Sequence, residues 1–280
     1  NYKVILQEFL DFEQKYNYKP QFDDVFPIGA ITNWDKKWPT VTLRCYNLDS
    51  KVSKLFPKTM NIVNNSSAMI SHVMYSVLEP HKFIPRHRGP YRGVFRYQLS
   101  LEIPDWNNNP DNLYLAVWPG TSSYKFWDPD RVPLKIEPLI HNWYDGNDLI
   151  FDDTCVHEVH NNTNKRRIIL FVDVERFDLN PFSKLLHRIF MSIAKYIDVI
   201  KKAIDVQDQF LESKEALNRL LIQERKRIES NHDEYRNNEW YKYTNQTEIM
   251  PWKYAKNYIL NNNHASTKLK NINPELKKTN

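Results

Sequence analysis

The stretch Asp148–Asp173, DLIFDDTCVHEVHNNTNKRRIILFVD, is the most informative part of the chain. It predicts two strands, Leu149–Val159 and Ile168–Val174, joined by a polar turn of Asn, Thr and Lys residues. If the strands pair as a hairpin, side-chain alternation places His157 and Arg167 on one face. That face would combine a residue type that binds metals with a fixed cation that suits an anionic ligand.

A second motif lies upstream at residues 84–104, with the sequence IPRHRGPYRGVFRYQLSLEIP. A histidine is followed by Gly-Pro, and an arginine stands nine residues after that histidine on a segment with strand alternation. Together with FDDT-x-x-HEV and the arginine ten residues after the second histidine, this motif resembles the aspartyl/asparaginyl β-hydroxylase family of iron(II)/2-oxoglutarate dioxygenases. Two spaced motifs in the right order are much more specific than either one. The resemblance covers about half of the chain.

The resemblance implies both a fold and a reaction. The expected fold is mainly β: a double-stranded β-helix, or jelly roll, over about residues 40–178, with flanking N- and C-terminal α-helices. The expected domains are a dioxygenase domain at 1–180, a helical extension at 181–235 and a polar, loosely ordered tail at 236–280. The implied enzyme binds iron(II), consumes 2-oxoglutarate and O2, and hydroxylates an unactivated C–H bond.

The resemblance assigns the metal ligands to His87 and His157. Iron(II) enzymes of this kind commonly use two histidines and one carboxylate, but Gly89 stands where the carboxylate usually appears. The resemblance implies that two histidines suffice and that Asp153, four residues before His157, acts in catalysis by holding a water in the vacant position. Considered singly, each histidine is more often structural, and the alternative role of Asp153 is that of a turn or capping residue, which the motif makes the less favoured one. Considered jointly in these motifs, they favour the metal site.

The resemblance assigns 2-oxoglutarate binding to Ser76, Arg96, Gln98 and Arg167. Arg167 suits the distal carboxylate because its planar fork matches carboxylate geometry, although the strand pattern alone fits an ion pair with Asp173 equally well. Ser76 is either a cosubstrate contact or a plain strand hydroxyl. The family usually has histidine where Gln98 stands; glutamine still donates a hydrogen bond, but the change puts cosubstrate affinity in doubt.

Hydrophobic alternation predicts most of the other elements. A helix is expected over Tyr2–Tyr16, and Met60–Asn65 is expected to be irregular. Residues 124–141 are interpreted as an insertion over the mouth of the barrel, where loops commonly set substrate choice; they include Trp127, Asp128, Asp130 and Arg131. Strands are expected at Val41–Tyr46, Ile70–Leu78, Gly93–Ile103 and Leu113–Trp118.

The sequence after Pro181 changes character. Apolar residues recur at helical spacing with Lys and Arg between them, which predicts a basic amphipathic helix over residues 184–204. Such a helix packs on its own domain, which is the commoner outcome, or makes a peripheral contact with a membrane surface. A second, charged helix is expected from about Val206 to Glu234.

Composition and charge exclude some functional classes. The net charge is +5, and residues 181–280 hold 18 Lys/Arg against 12 Asp/Glu, which is too sparse for a nucleic-acid patch. The sequence lacks an apolar run of about eighteen residues, so no transmembrane segment is expected within this chain. The two cysteines give no disulfide framework.

A cytoplasmic or membrane-associated location is expected, and the first residue, Asn, suggests a piece of a longer protein.

The substrate is the least constrained prediction. Our first expectation is an Asp or Asn side chain of a protein or peptide, as the family name implies. The alternative substrate is the acyl chain of a membrane lipid, which the basic amphipathic helix favours mildly. A cupin-like binding module without turnover is a further alternative, and Gln98 would be its first sign.

Overall fold

The computed structural model describes residues 1–16, 20–26, 32–33, 35–123 and 137–212. Its strands are β1 (Thr40–Cys45), β2 (Leu48–Asp49), β3 (Ile70–Leu78), β4 (Lys82–His87), β5 (Val94–Glu102), β6 (Leu113–Trp118), β7 (Leu139–Asn142), β8 (Asp148–Phe151), β9 (Val156–Asn161) and β10 (Arg167–Glu175). Within the described residues they form two antiparallel sheets, with the orders β2-β1-β3-β10-β5-β8 and β4-β9-β6-β7. Strands consecutive in the chain repeatedly fall in different sheets, so the expected jelly roll is confirmed.

The large sheet is buried on both faces, and β10 shows how. Ile168, Leu170 and Val172 belong to a core that includes residues of the N-terminal helix, whereas Ile169 and Phe171 pack with residues of the smaller sheet. A strand with two apolar faces appears in the sequence as a continuous apolar run. Because side chains alternate, both polar ends of β10 point to the inner face, between the sheets.

Two helices, α1 (Tyr2–Lys15) and α3 (Pro57–Asn64), cover the outer face of the large sheet, and the short helix α2 (Phe22–Val25) lies between them in the chain. The predicted N-terminal helix is confirmed. The prediction that Met60–Asn65 is irregular was wrong, because helix α3 begins at Pro57. The carboxylate of Glu8 on α1 caps α3 by accepting hydrogen bonds from two backbone amides of the first turn of α3. Glu8 is distant in the sequence, so the local pattern around Met60 does not reveal this cap.

The predicted hairpin around His157 was wrong. The run Leu149–Val159 breaks after β8, where Asp152 forms a turn by accepting hydrogen bonds from the amide and hydroxyl groups of Thr154. β9 then pairs with β4 and β6, whereas β10 pairs with β3 and β5. Asn161 secures the crossover, since its side-chain amide donates to the carbonyl groups of Leu78, Glu79 and Lys165. His157 and Arg167 therefore lie on facing sheets rather than on neighbouring strands.

The single helix predicted for residues 184–204 is in fact two helices, α4 (Pro181–Ala194) and α5 (Asp198–Glu212). α5 packs on β1, where the side-chain carbonyl of Gln207 accepts a hydrogen bond from the amide of Thr42 at 2.9 Å. Among the described residues, no helix is both long and apolar enough to cross a membrane. The insertion residues Trp127, Asp128, Asp130 and Arg131, the rest of the second charged stretch and the tail lie outside the described residues, and the domain boundaries stay predictions.

Candidate active site

The inner face of the large sheet carries four of the predicted site residues in successive layers. Register between β3, β10 and β5 sets the layers, because residues opposite each other on neighbouring strands point to the same face. The layers along β10 are Arg167, then Ile169 with Ser76, then Phe171 with Gln98, and finally Asp173 with Arg96. The sheets thus bring together residues that are far apart in the sequence.

The two predicted metal ligands are paired in register on β4 and β9 of the smaller sheet, with ring centroids 4.1 Å apart. The Nδ1 atoms of His87 and His157 lie 2.8 and 2.9 Å from the carbonyl oxygens of Pro85 and Cys155. A carbonyl only accepts, so each Nδ1 carries the proton and each Nε2 keeps the lone pair that a metal needs. Burial lowers the pKa of His87 to about 3 and that of His157 to about 4, which keeps both rings neutral.

The carboxylate nearest to the histidines belongs to Asp153. Its Oδ1 lies 3.3 Å from Nε2 of His157, and burial raises the pKa of the group while Arg96 opposes that shift. A Cβ atom placed on Gly89 would lie 1.5 Å from Oδ2 of Asp153, so this carboxylate fills the space that a side chain at position 89 would need. Among the described residues, no three His, Cys, Asp or Glu residues form a group that could hold a metal ion.

Arg96 is already committed to two carboxylates. Its Nε donates to Asp173 at 2.8 Å and its Nη1 to Asp153 at 2.5 Å, while the guanidinium lies 3.7 Å from the ring centroid of Phe171. Arg96 therefore fixes Asp153 beside His157. Asp173 is therefore paired with Arg96, and the ion pair between Asp173 and Arg167 that the strand pattern also allowed is not formed.

Arg167 is a buried cation that has no anionic partner among the described residues. It is 2 % exposed, its Nη2 donates weakly to Ser76 Oγ at 3.4 Å, and its Nε and Nη1 have no hydrogen-bond partner in the described part of the chain. Burial lowers the pKa of Arg167 to about 9. An uncompensated buried charge costs several kcal/mol, on the order of 3–5, so the surroundings of Arg167 fit a carboxylate ligand.

Two tryptophans complete the site. The indole N–H of Trp38 donates to Ser76 Oγ at 2.8 Å, and the guanidinium of Arg167 lies 4.7 Å from the ring centroid of Trp143. Trp143 belongs to a W-x-x-G motif that leads into β8, so a sequence signal existed for it. Trp38 lies before β1 in a segment without periodicity, and no pattern identified it. The side-chain carbonyl oxygen of Gln98 has no hydrogen-bond partner among the described residues.

His72, which shares the inner face with Asp173 and Arg96, gives a testable pH dependence. Burial lowers its pKa to about 4 from the ordinary 6.5, so folding is favoured by the neutral ring, and this contribution is lost as the pH falls. Between about pH 7 and pH 5, the unfolding free energy of the wild type should fall about 2 kcal/mol more than that of His72→Gln. Denaturant titrations measure this difference. His81→Gln, at an exposed histidine, should follow the wild type; parallel curves for all three proteins would refute the assignment.

The jelly-roll fold and the pair of facing histidines are the features expected of an iron(II)/2-oxoglutarate-dependent oxygenase. The chain belongs to the Aspartyl/Asparaginyl beta-hydroxylase family, since the sequence profile of that family matches residues 1–177. Membership implies iron(II) and 2-oxoglutarate. The family assignment that the two histidine motifs suggested is thus confirmed, and the match extends well beyond those motifs.

The chain is also similar to individual proteins, among them one curated relative and several distant solved structures. The chain is 29 % identical over 187 residues to the ornithine lipid ester-linked acyl 2-hydroxylase of Rhizobium tropici, covering 66 % of this chain and 58 % of that protein. It thus spans less than two thirds of the relative's length. A prolyl hydroxylase from Trichoplax adhaerens, solved with a hypoxia inducible factor peptide, is 14 % identical with a TM-score of 0.40 and coverage of 66 % and 80 %. A 2OG-Fe(II) oxygenase family oxidoreductase from Burkholderia pseudomallei is 13 % identical with a TM-score of 0.35 and coverage of 50 % and 68 %.

Proposed function

We propose that the chain hydroxylates a lipid acyl chain in a reaction that depends on iron(II) and 2-oxoglutarate. The observation that carries the reaction type is Arg167, a buried guanidinium without a carboxylate partner in the described residues, inside a jelly roll that also holds the two histidines. The lipid substrate is supported by the similarity to the acyl 2-hydroxylase from R. tropici. It takes precedence over our first expectation of an Asp or Asn side chain, which rested on the family name alone.

In this proposal, His87 and His157 hold the metal through Nε2. Their Nδ1–H groups stay bound to backbone carbonyls, which fixes the ring orientation and the tautomer. Asp153 orients a water beside the metal, and Arg96 positions Asp153 through a hydrogen bond while Asp173 holds the other side of Arg96. Arg96 thus acts through Asp153. That role differs from the direct cosubstrate contact expected from the sequence.

Arg167 receives the distal carboxylate of 2-oxoglutarate. Ser76 Oγ accepts from Trp38 and Arg167, which leaves its own hydrogen to donate to the same carboxylate. The Trp143 indole covers one face of the guanidinium and excludes water from it. Gln98, one layer closer to Arg96, offers its N–H2 group to the cosubstrate. When bound, iron(II) and 2-oxoglutarate supply the oxidising power that places one atom of O2 on a C–H carbon while 2-oxoglutarate becomes succinate and CO2.

A coupled assay tests the proposed substrate. Purified chain with iron(II), 2-oxoglutarate and O2 receives either a detergent-dispersed ornithine lipid or a peptide that contains Asp and Asn. We expect succinate to form in proportion to a lipid product that has gained one oxygen atom on an acyl chain, as measured by mass spectrometry. Coupling to the peptide alone would overturn the lipid substrate. Iron binding without succinate formation on either substrate would favour the binding module instead.

A further inference from the structure

Helix α4 has an apolar face that none of the described residues covers. At 3.6 residues per turn, Phe182, Leu185, Leu186, Ile189 and Ile193 lie within an arc of about 100° on one side of the helix. All five are exposed, with 49–69 % of their surface accessible. Beyond the two ends of the helix, the same kind of surface continues. We call these exposed residues the α4 apolar face: Phe177, Phe182, Leu185, Leu186, Ile189, Ile193, Tyr196 and Ile197.

The packing face of α4 is a different side of the helix. His187, Met191 and Ala194 are the buried residues, and Phe190 packs against Tyr91 with ring centroids 4.9 Å apart. The helix thus packs on its own domain, as the commoner outcome expected from sequence requires, but through this other side, and the α4 apolar face remains exposed among the described residues. Isolated exposed apolar residues are ordinary on protein surfaces, but a contiguous stripe on one helix indicates an interaction surface.

Charge around the α4 apolar face indicates its partner. Residues 181–202 contain five Lys or Arg and one Asp, and three of the basic residues follow one side of the helix. Glu175 pairs with Arg188 at 2.9 Å and with Lys184 at 3.4 Å, so it neutralises only part of this charge. An apolar stripe that is flanked by lysine and arginine, and ends in Phe and Tyr, suits the interface of a bilayer with anionic headgroups.

The packing face joins α4 to the segments that carry the candidate active site. The hydroxyl of Tyr91, four residues after His87, lies 2.8 Å from Nδ1 of His187. A Cβ atom on Gly93 would lie 2.5 Å from that same nitrogen, so the helix is packed closely on this segment. Just before α4, Arg176 donates to Asp152 at 2.7 Å, next to Asp153. The helix is thus fixed relative to His87 and Asp153.

We propose that the α4 apolar face docks on the surface of an anionic lipid bilayer and holds the histidine end of the site toward the acyl chains. This inference rests on the proposed lipid substrate for its functional meaning, whereas bilayer binding can be measured by itself. The docked helix lies in the headgroup region with Phe182 and Leu186 directed to the acyl chains, and the basic side faces lipid phosphates. The helix does not enter the bilayer core.

Vesicle flotation of the full chain tests the docking. The vesicles are phosphatidylcholine alone or phosphatidylcholine with phosphatidylglycerol, and the variants are Leu185→Glu/Ile189→Glu and, as a matched control, Leu139→Glu/Ile140→Glu on β7, where both residues are also exposed. We expect binding to the anionic vesicles that weakens with salt, falls at least tenfold in the α4 variant and is unchanged in the control. A wild-type chain that stays soluble would overturn the proposal. So would a dimer that the α4 variant converts to monomer without any vesicle binding, because a second copy would then be the partner.

Activity on two lipid forms separates this inference from the proposed function. The α4 variant should hydroxylate detergent-dispersed lipid at the wild-type rate but lose at least tenfold on vesicles. Vesicle binding without hydroxylation in either form would end the proposed function and leave the docking surface intact. If the wild-type chain hydroxylates detergent-dispersed lipid but never binds vesicles, the docking surface is refuted and the proposed function stands.

Discussion

Replacing His157 with alanine is expected to lower 2-oxoglutarate turnover by more than about 100-fold. Loss of a residue that only supports a metal ligand already lowers metal affinity or activity roughly 10–100-fold, and loss of a ligand should cost more. In the proposed site, His157 is one of two histidine ligands, and no third His, Cys, Asp or Glu residue joins them in the described residues. A site with two protein donors has no spare ligand. Succinate formation measured at saturating iron(II) reads this out directly.

His160→Ala is the matched control for this variant. His160 lies three residues away on the same strand. Its ring centroid is 4.6 Å from that of Tyr114, on which it stacks, and its Nε2 atom is 3.3 Å from Oε1 of Glu158. It has no contact with the histidine pair in the described structure, so its loss should leave turnover within about twofold of the wild type, as expected for substitutions away from a site. Equal activity of the two variants would mean that His157 is not a ligand.

Replacing Arg167 with methionine should raise the KM for 2-oxoglutarate roughly 100-fold, since the loss of a buried charged partner costs on the order of 3 kcal/mol. The same change should increase the stability of the ligand-free protein, because methionine removes a buried cation that has no anionic partner among the described residues. These opposite effects distinguish a ligand-binding arginine from a structural one. Steady-state kinetics and thermal unfolding without 2-oxoglutarate measure them.

Arg166→Met provides the control one position earlier. Arg166 is partly exposed and pairs with Glu13 of α1 at 2.6 Å, outside the inner face. Its loss should leave the KM unchanged. In addition, 2-oxoglutarate should raise the melting temperature of the wild type and of Arg166→Met but not that of Arg167→Met. A lower ligand-free stability of Arg167→Met would indicate that Arg167 has a structural partner after all.

The sequence predicted the strands best where alternation is strong. The expected strands Ile70–Leu78 and Leu113–Trp118 coincide with β3 and β6. Family motifs predicted which residues meet, since Ser76, Gln98 and Arg167 share one inner face and the two histidines are paired in register. The functional roles of these residues stay predictions that the variants above test.

Strand partners were not predictable in the same way. Period-two alternation states which side chains share a face but not which strand lies next to which, so the hairpin expected around His157 was wrong. The hydrogen bonds of Arg96 to Asp153 and Asp173 depend on two strands and a turn, and the hydrogen bond from Trp38 to Ser76 spans 38 residues. Contacts of this kind arise from the tertiary fold.

Helix α4 shows a further limit of periodicity. An amphipathic pattern predicts that one side of a helix is apolar, and the usual inference is that this side packs on the domain. In α4 the packed side holds a histidine, a methionine and an alanine, whereas the more apolar side is exposed. The position of the helix against Tyr91, Gly93 and Tyr46 distinguishes the two sides.

An anaerobic titration of the wild-type chain with iron(II) and 2-oxoglutarate tests the central claim most directly. Chelation of iron(II) by the 2-oxo acid gives a weak visible absorption band, which we expect in the wild type and in His160→Ala and Arg166→Met. The band should be absent in His157→Ala and should require much higher 2-oxoglutarate in Arg167→Met. If iron(II) binds to the wild type and no band forms at any 2-oxoglutarate concentration, the chain is not a 2-oxoglutarate-dependent hydroxylase.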